Sequence, residues 1–139
     1  MDHAASMRKT YERISAGDIA GFGALVADDF VEHQGGPGLP PTREGTLDFF
    51  RLLLAAFPDM HMHVEDLIAA GDKTVARVTA TGTHMGEFMG LPATGKRAEV
   101  QLIDIMRFNS DGLVCEHWGV TDMLGLMQQL GAVPSATPA

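Results

Sequence analysis

Hydrophobic positions in this chain follow a helical period through its first part and alternate through most of the rest. Ala4, Met7, Tyr11 and Ile14 share one face of a helix that Gly17 ends. Asp18 can cap a short second helix with Ile19, Phe22, Leu25 and Val26 turned inward, although Gly21 and Gly23 weaken it. Phe30 to His33 reads as a short extended piece, and the Gly- and Pro-rich residues 34–41 that follow predict a loop. A third helix begins near Gly45, where Leu47, Phe50, Leu53, Leu54 and Phe57 form an apolar stripe and Pro58 stops it. Beyond that point the alternation predicts strands at 61–70, 73–84, 98–108 and 113–121. Gly71-Asp72 turns the first pair, and Asn109-Ser110-Asp111-Gly112 turns the last. Gly86 to Pro92 forms an excursion between the middle strands, suited to the rim of a pocket. Asp122 to Leu130 predicts a terminal helix with Gly131 as its C-cap.

Helices followed by antiparallel strands make an α+β order. A strongly curved antiparallel sheet closed over the N-terminal helices would leave a concave cavity, an internal pocket, between them. A chain of 139 residues suits one core, so residues 1–132 are expected to form a single domain and 133–139 a disordered tail.

Composition narrows the function. The formal charge of −8 argues against nucleic acid and against an anionic membrane surface. The start, Met1-Asp2-His3-Ala4, lacks the basic-then-apolar pattern of a secretory signal, and Cys115 is the only cysteine. A reducing cytoplasm is therefore the expected location. Nine methionines give a deformable core filler that also suits a flat apolar ligand.

Several segments carry a family resemblance: Ala16-Gly17-Asp18, Ala27-Asp28-Asp29-Phe30-Val31-Glu32-His33, Pro40-Pro41-Thr42-Arg43-Glu44-Gly45 and Ala56-Phe57-Pro58-Asp59. Thr81-Gly82-Thr83-His84, Ile103-Asp104-Ile105-Met106-Arg107-Phe108 and the stretch from Glu116-His117-Trp118 to Gly125 extend it over nearly the whole chain. Together they resemble the SnoaL-like polyketide cyclases, within the superfamily of ketosteroid isomerases and nuclear transport factors. The resemblance implies a cone-shaped α+β fold. It aligns Asp104 with the protonated carboxylic acid of the isomerases' oxyanion hole, His33 with their carboxylate base, and Thr10, beside Tyr11, with their tyrosine. It aligns Asp122 with the aspartate that SnoaL-like cyclases are thought to use.

Four candidates for catalysis follow, each with a structural alternative. Asp122 could serve as the acid/base of an aldol-type closure, or simply cap the last helix. His117 shares its strand face with Gly119 and Thr121, so it could relay a proton or stabilise an enolate; it could equally be a hydrogen-bonded sheet histidine. Asp104 stands among Val100, Leu102, Met106 and Phe108, where a carboxyl must be protonated or paired, for instance with Arg77. His33 lies at the mouth of the Gly/Pro loop, as a guard or a solvated loop residue. Arg77, Thr79 and Thr81 alternate along one strand face that lines the cavity or meets solvent. Phe50, Phe88 and Met106 complete the expected substrate pocket. His61 and His63 could share a metal, but no third ligand stands at recognisable spacing, so no metal site is expected. No phosphate loop or nucleophile elbow is present, and no cofactor is implied.

By resemblance, the expected protein is a cofactor-free general acid/base enzyme of the polyketide (ester) cyclase type, acting on an apolar carbonyl-containing small molecule. The alternatives are an isomerase or epoxide-hydrolase-like enzyme on the same pocket, which Arg77 near Asp104 or Asp122 would favour, and a non-catalytic binding domain. The apolar outer face with Ile103, Ile105 and Trp118 predicts a homodimer.

Overall fold

A computed structural model of the chain describes residues 2–134. Its elements are α1 (His3–Ser15), α2 (Ile19–Gly23), β1 (Val26–Glu32), α3 (Arg43–Ala56), β2 (His61–Ala70), β3 (Lys73–Thr83), β4 (Arg97–Phe108), β5 (Val114–Thr121) and α4 (Met123–Gln129). The α+β class and the four C-terminal strands agree with the alternation in the sequence.

One expectation needs correcting. Leu25 and Val26 do not continue α2, because Val26 opens a seven-residue strand, β1. Strand order is β1-β5-β4-β3-β2, and β1 pairs with β5 in parallel while the other three pairings are antiparallel. The short extended piece seen from sequence is the end of this edge strand. Its partner is more than 80 residues distant, as in the pairing of Glu32 with His117, so local pattern carries no sign of it.

The sheet is curved and unclosed, with β1 and β2 as its two edges. Register shifts interrupt β1–β5, β2–β3 and β4–β5, and such irregularities bend strands. At Gly71 the chain turns from β2 to β3 with φ +62°, a conformation that glycine adopts without a Cβ penalty. The helices close over the sheet: α1 packs on β2 and β3, α3 on β1, and α4 on β4. Met7, Tyr11, Ile14, Phe22, Leu47, Val78, Val100 and Phe108 meet in the shared core. The expected tail is described only as far as Pro134; residues 135–139 lie outside the described residues.

Candidate active site

Between helices and sheet lies a cavity of about 400 Å³. Its walls are largely apolar: Phe22 and Phe30, Phe49 and Phe50 from α3, Phe88 and Met89 from the excursion after β3, and Val100, Leu102 and Met106 from β4. Gln34 to Pro37 and Pro40 of the Gly/Pro loop complete one side. The charged or chargeable side chains on this lining are Glu32, Asp104 and His117, with Tyr11 beside them.

Strand alternation puts these groups together. On β4, the inward set Ala98, Val100, Leu102, Met106 and Phe108 is interrupted by Asp104. Across the ladder, Asp104 pairs with Gly119 and Met106 with His117, so Asp104 and His117 are diagonal neighbours on the inner face. β1 brings Glu32 inward beside His117, its register partner on β5. From the opposite wall, the buried stripe of α1 supplies Tyr11.

The result is one hydrogen-bonded chain. The Tyr11 hydroxyl donates to Asp104 Oδ2 at 2.7 Å. Asp104 Oδ1 lies 2.8 Å from His117 Nε2, and Glu32 Oε1 lies 2.6 Å from His117 Nδ1. Burial, the largest single influence on His117, opposes its charge. The bonds to Asp104 and Glu32 and the pull of both carboxylates outweigh it, pushing its pKa up to about 10. His117 is therefore an imidazolium at neutral pH, donating from both nitrogens. Tyr11 is held far above the ordinary phenol range by its burial, and further by the Asp104 charge and hydrogen bond, so it stays neutral.

Gly119 makes this packing possible. A Cβ there would stand 2.5 Å from Asp104 Oδ1 and 3.0 Å from His117 Nε2. The open space above the glycine is filled by the ion pair itself.

The sequence model of the SnoaL-like polyketide cyclases matches residues 5–130. The chain belongs to this family. Among related proteins, aklanonic acid methyl ester cyclase DnrD of Streptomyces peucetius is 38% identical over 63 residues. That match spans 45% of this chain but only 42% of the relative's length. Over whole folds, AclR of Streptomyces galilaeus, a proposed hydroxylase, superposes with a TM-score of 0.87 at 30% identity. It covers 98% of this chain and 85% of AclR. IdmH of Streptomyces antibioticus, a proposed polyketide cyclase, gives 0.83 at 34% identity, covering 94% and 99%.

Within this SnoaL-like fold, His117 and Asp104 stand together at the cavity, and Met106, Phe50, Phe88 and Thr81 line it. Four expected site residues lie elsewhere. Asp122 accepts the Gly125 N–H at 2.9 Å as the N-cap of α4, is exposed, and does not line the cavity, although its neighbours Thr121 and Met123 do. His33 turns outward, because alternation on β1 sends Glu32 in and its neighbour out. There it stacks on Trp118 at 4.7 Å and bonds Glu116 Oε2 at 2.8 Å. Arg77 and Thr79 occupy the outer face of β3, since Ala76, Val78 and Ala80 face the helices; Arg77 pairs with Asp66 at 2.8 Å. That removes Arg77 as partner to Asp104 and with it the feature favouring an epoxide hydrolase.

Sequence reasoning missed Glu32 and Tyr11 as site residues. Both sit one position from the residues aligned with the isomerase site, His33 and Thr10. The buried Phe30 two residues before Glu32 was the available signal, because it shares Glu32's strand face. His61 and His63 pack ring to ring at 4.1 Å, and among the described residues no group of three His, Cys, Asp or Glu could hold a metal. Among the described residues, no helix is long and apolar enough to cross a membrane.

Proposed function

We propose that this chain catalyses an aldol-type ring closure of a flat, apolar polyketide ester by proton transfer alone. One observation carries the reading. The charged side chains lining the cavity, Glu32, His117 and Asp104, form a single buried chain with Tyr11. Ring closure of this kind needs a base to remove a proton alpha to a carbonyl, positive charge beside the enolate, and an acid to protonate the new alkoxide. A carboxylate–imidazolium–carboxylate array can supply all three, and apolar walls keep out water that would quench the enolate.

Charge also favours an ester over a free acid. Two carboxylates around one imidazolium leave the array with a net charge of −1, and neither Lys nor Arg is among the lining residues. A carboxylate ligand would be repelled, and its methyl ester would not. The name of the related cyclase, which specifies a methyl ester, supports the same preference.

The test is incubation with aklanonic acid methyl ester, followed by chromatography for an isomer of unchanged mass. Asp104→Asn keeps the shape of the site and is expected to lower turnover about 100-fold while ligand affinity holds. If neither protein closes the ring and both bind the ester equally, this is a binding domain.

A further inference from the structure

Proton abstraction in this cavity needs a base, and the four linked side chains differ in what they have left to offer. Tyr11 has one hydroxyl proton and gives it to Asp104. Asp104 accepts at both oxygens, Oδ2 from Tyr11 and Oδ1 from His117. As an imidazolium donating to both carboxylates, His117 presents no lone pair. Glu32 Oε1 is used twice, by His117 Nδ1 and by the Gln34 backbone N–H at 2.9 Å. Glu32 Oε2 has only the Thr46 hydroxyl, at 3.5 Å, beyond the usual range for a hydroxyl donor. Each Asp104 oxygen already holds one short hydrogen bond and Glu32 Oε1 holds two, so Glu32 Oε2 is the carboxylate oxygen of the array with the most capacity left.

We infer that Glu32 is the catalytic base of this site and that its Oε2 takes the substrate proton. The inference rests on the acid/base reading. Glu32 lines the cavity, is 8% exposed, and is fixed in orientation by the two bonds to Oε1. In the first step the substrate's alpha C–H bond breaks, its proton bonds to Glu32 Oε2, and the electron pair remains as the enolate. The enolate carbon then bonds to a second carbonyl carbon of the same molecule. The resulting alkoxide takes the proton back from Glu32, restoring the carboxylate with no group lost and no change of oxidation state.

The array suits this sequence because the charge in the cavity is constant throughout. The negative charge moves from Glu32 to the enolate and then to the alkoxide while the His117 imidazolium stays in place. Little new charge has to be desolvated at the moment of reaction.

The experiment reads deuterium exchange from D2O into the alpha C–H of 2-tetralone by NMR, alongside closure of aklanonic acid methyl ester. Glu32→Gln keeps an oxygen acceptor for His117 but has no basic oxygen, and is expected to lower both rates about 100-fold. Glu32→Ala is expected to recover exchange in proportion to added formate, which a purely positioning role would not produce. Exchange by Glu32→Gln within about threefold of the unaltered rate overturns the inference, as does a folded Glu32→Ala that formate does not rescue. If Glu32→Gln fails to fold, Glu32→Ala decides alone: lost exchange that added formate restores supports the base, and exchange within about threefold of the unaltered rate, or a loss that formate does not restore, refutes it. Should exchange survive Glu32→Gln but not Asp104→Asn, the acid/base reading stands and only Glu32 falls. An unaltered protein inactive on both probes overturns the two together.

Discussion

The ion pair at His117 should make the stability of this protein fall steeply at alkaline pH. Its folded pKa of about 10 lies well above the ordinary 6.5, and its side chain is 19% exposed, so solvent screens it little. A raised pKa means the folded state holds the proton more tightly. Below pH 6.5 both states are protonated and the stabilisation is fully present. Between 6.5 and about 10 only the folded state keeps the proton, and above that the contribution is lost. The gap corresponds to about 5 kcal/mol in total, of which about 3 to 4 kcal/mol should disappear between pH 6.5 and 9.5. That is a large share of the roughly 10 kcal/mol expected for a domain of this size. Urea unfolding across this range would measure it, with the triple variant Glu32→Gln, His117→Gln, Asp104→Asn as reference to cancel other titrating groups. Side-chain NMR should find both ring nitrogens of His117 protonated at pH 8.5. Parallel stability profiles for the two proteins, within about 0.5 kcal/mol, would refute the reasoning.

Three further outcomes are expected. Gly119→Ala would push a methyl into the Asp104–His117 pair, costing about 1–3 kcal/mol in thermal unfolding and abolishing ring closure, whereas unchanged stability would mean the pair relocates freely. Asp122→Ala should destabilise the protein by about 1 kcal/mol through loss of the α4 cap and leave turnover within about twofold; a large loss of turnover would return Asp122 to the chemistry. For the outer sheet face, where Ile103 and Val120 pair and are 45% and 66% exposed, we propose a homodimer. Sedimentation should find a dimer that Ile103→Glu with Val120→Glu dissociates, and a monomeric unaltered protein at micromolar concentration would refute it.

How legible the site was depended on whether neighbours in space were also neighbours in a local pattern. β2 to β5 were readable because alternation and turn residues such as Gly71 and Gly112 are local signals; the same alternation set Asp104 among apolar neighbours, whereas the inward face of His117 followed from the resemblance to the isomerases. Asp122 was ambiguous by chemistry. A carboxylate three residues before Gly125 caps a helix whether or not it also catalyses, and here its Oδ1 is committed to the Gly125 N–H. Arg77 was ambiguous because β3 alternates cleanly in both directions, and only the helices packed on Ala76 and Val78 decide which side is wet. Glu32 was the harder case. Its inward direction follows from β1 joining β5 in parallel, a contact across most of the chain.

The site also breaks local rules in a way the rest of the core does not. Glu32 and Asp104 are buried carboxylates, which on their own would be costly in an apolar cavity. Neither is isolated: each bonds the same imidazolium, Asp104 also takes the Tyr11 hydroxyl, and Glu32 also takes the Gln34 N–H. Removing His117 would leave two buried carboxylates without their counter-charge, a loss of about 3–5 kcal/mol for such pairs, whereas removing either carboxylate leaves the imidazolium one partner. Well-packed apolar residues could fill the same volume at no such risk, so stability alone gives little reason to keep three ionisable groups and a glycine that must stay small. A cavity walled by Phe22, Phe49, Phe50 and Phe88 has the shape and apolarity to take a flat ligand without them. What the array adds is a carboxylate oxygen left open at Glu32 Oε2, held beside a fixed positive charge in a largely apolar cavity, and that combination has a use in proton transfer that it lacks in binding.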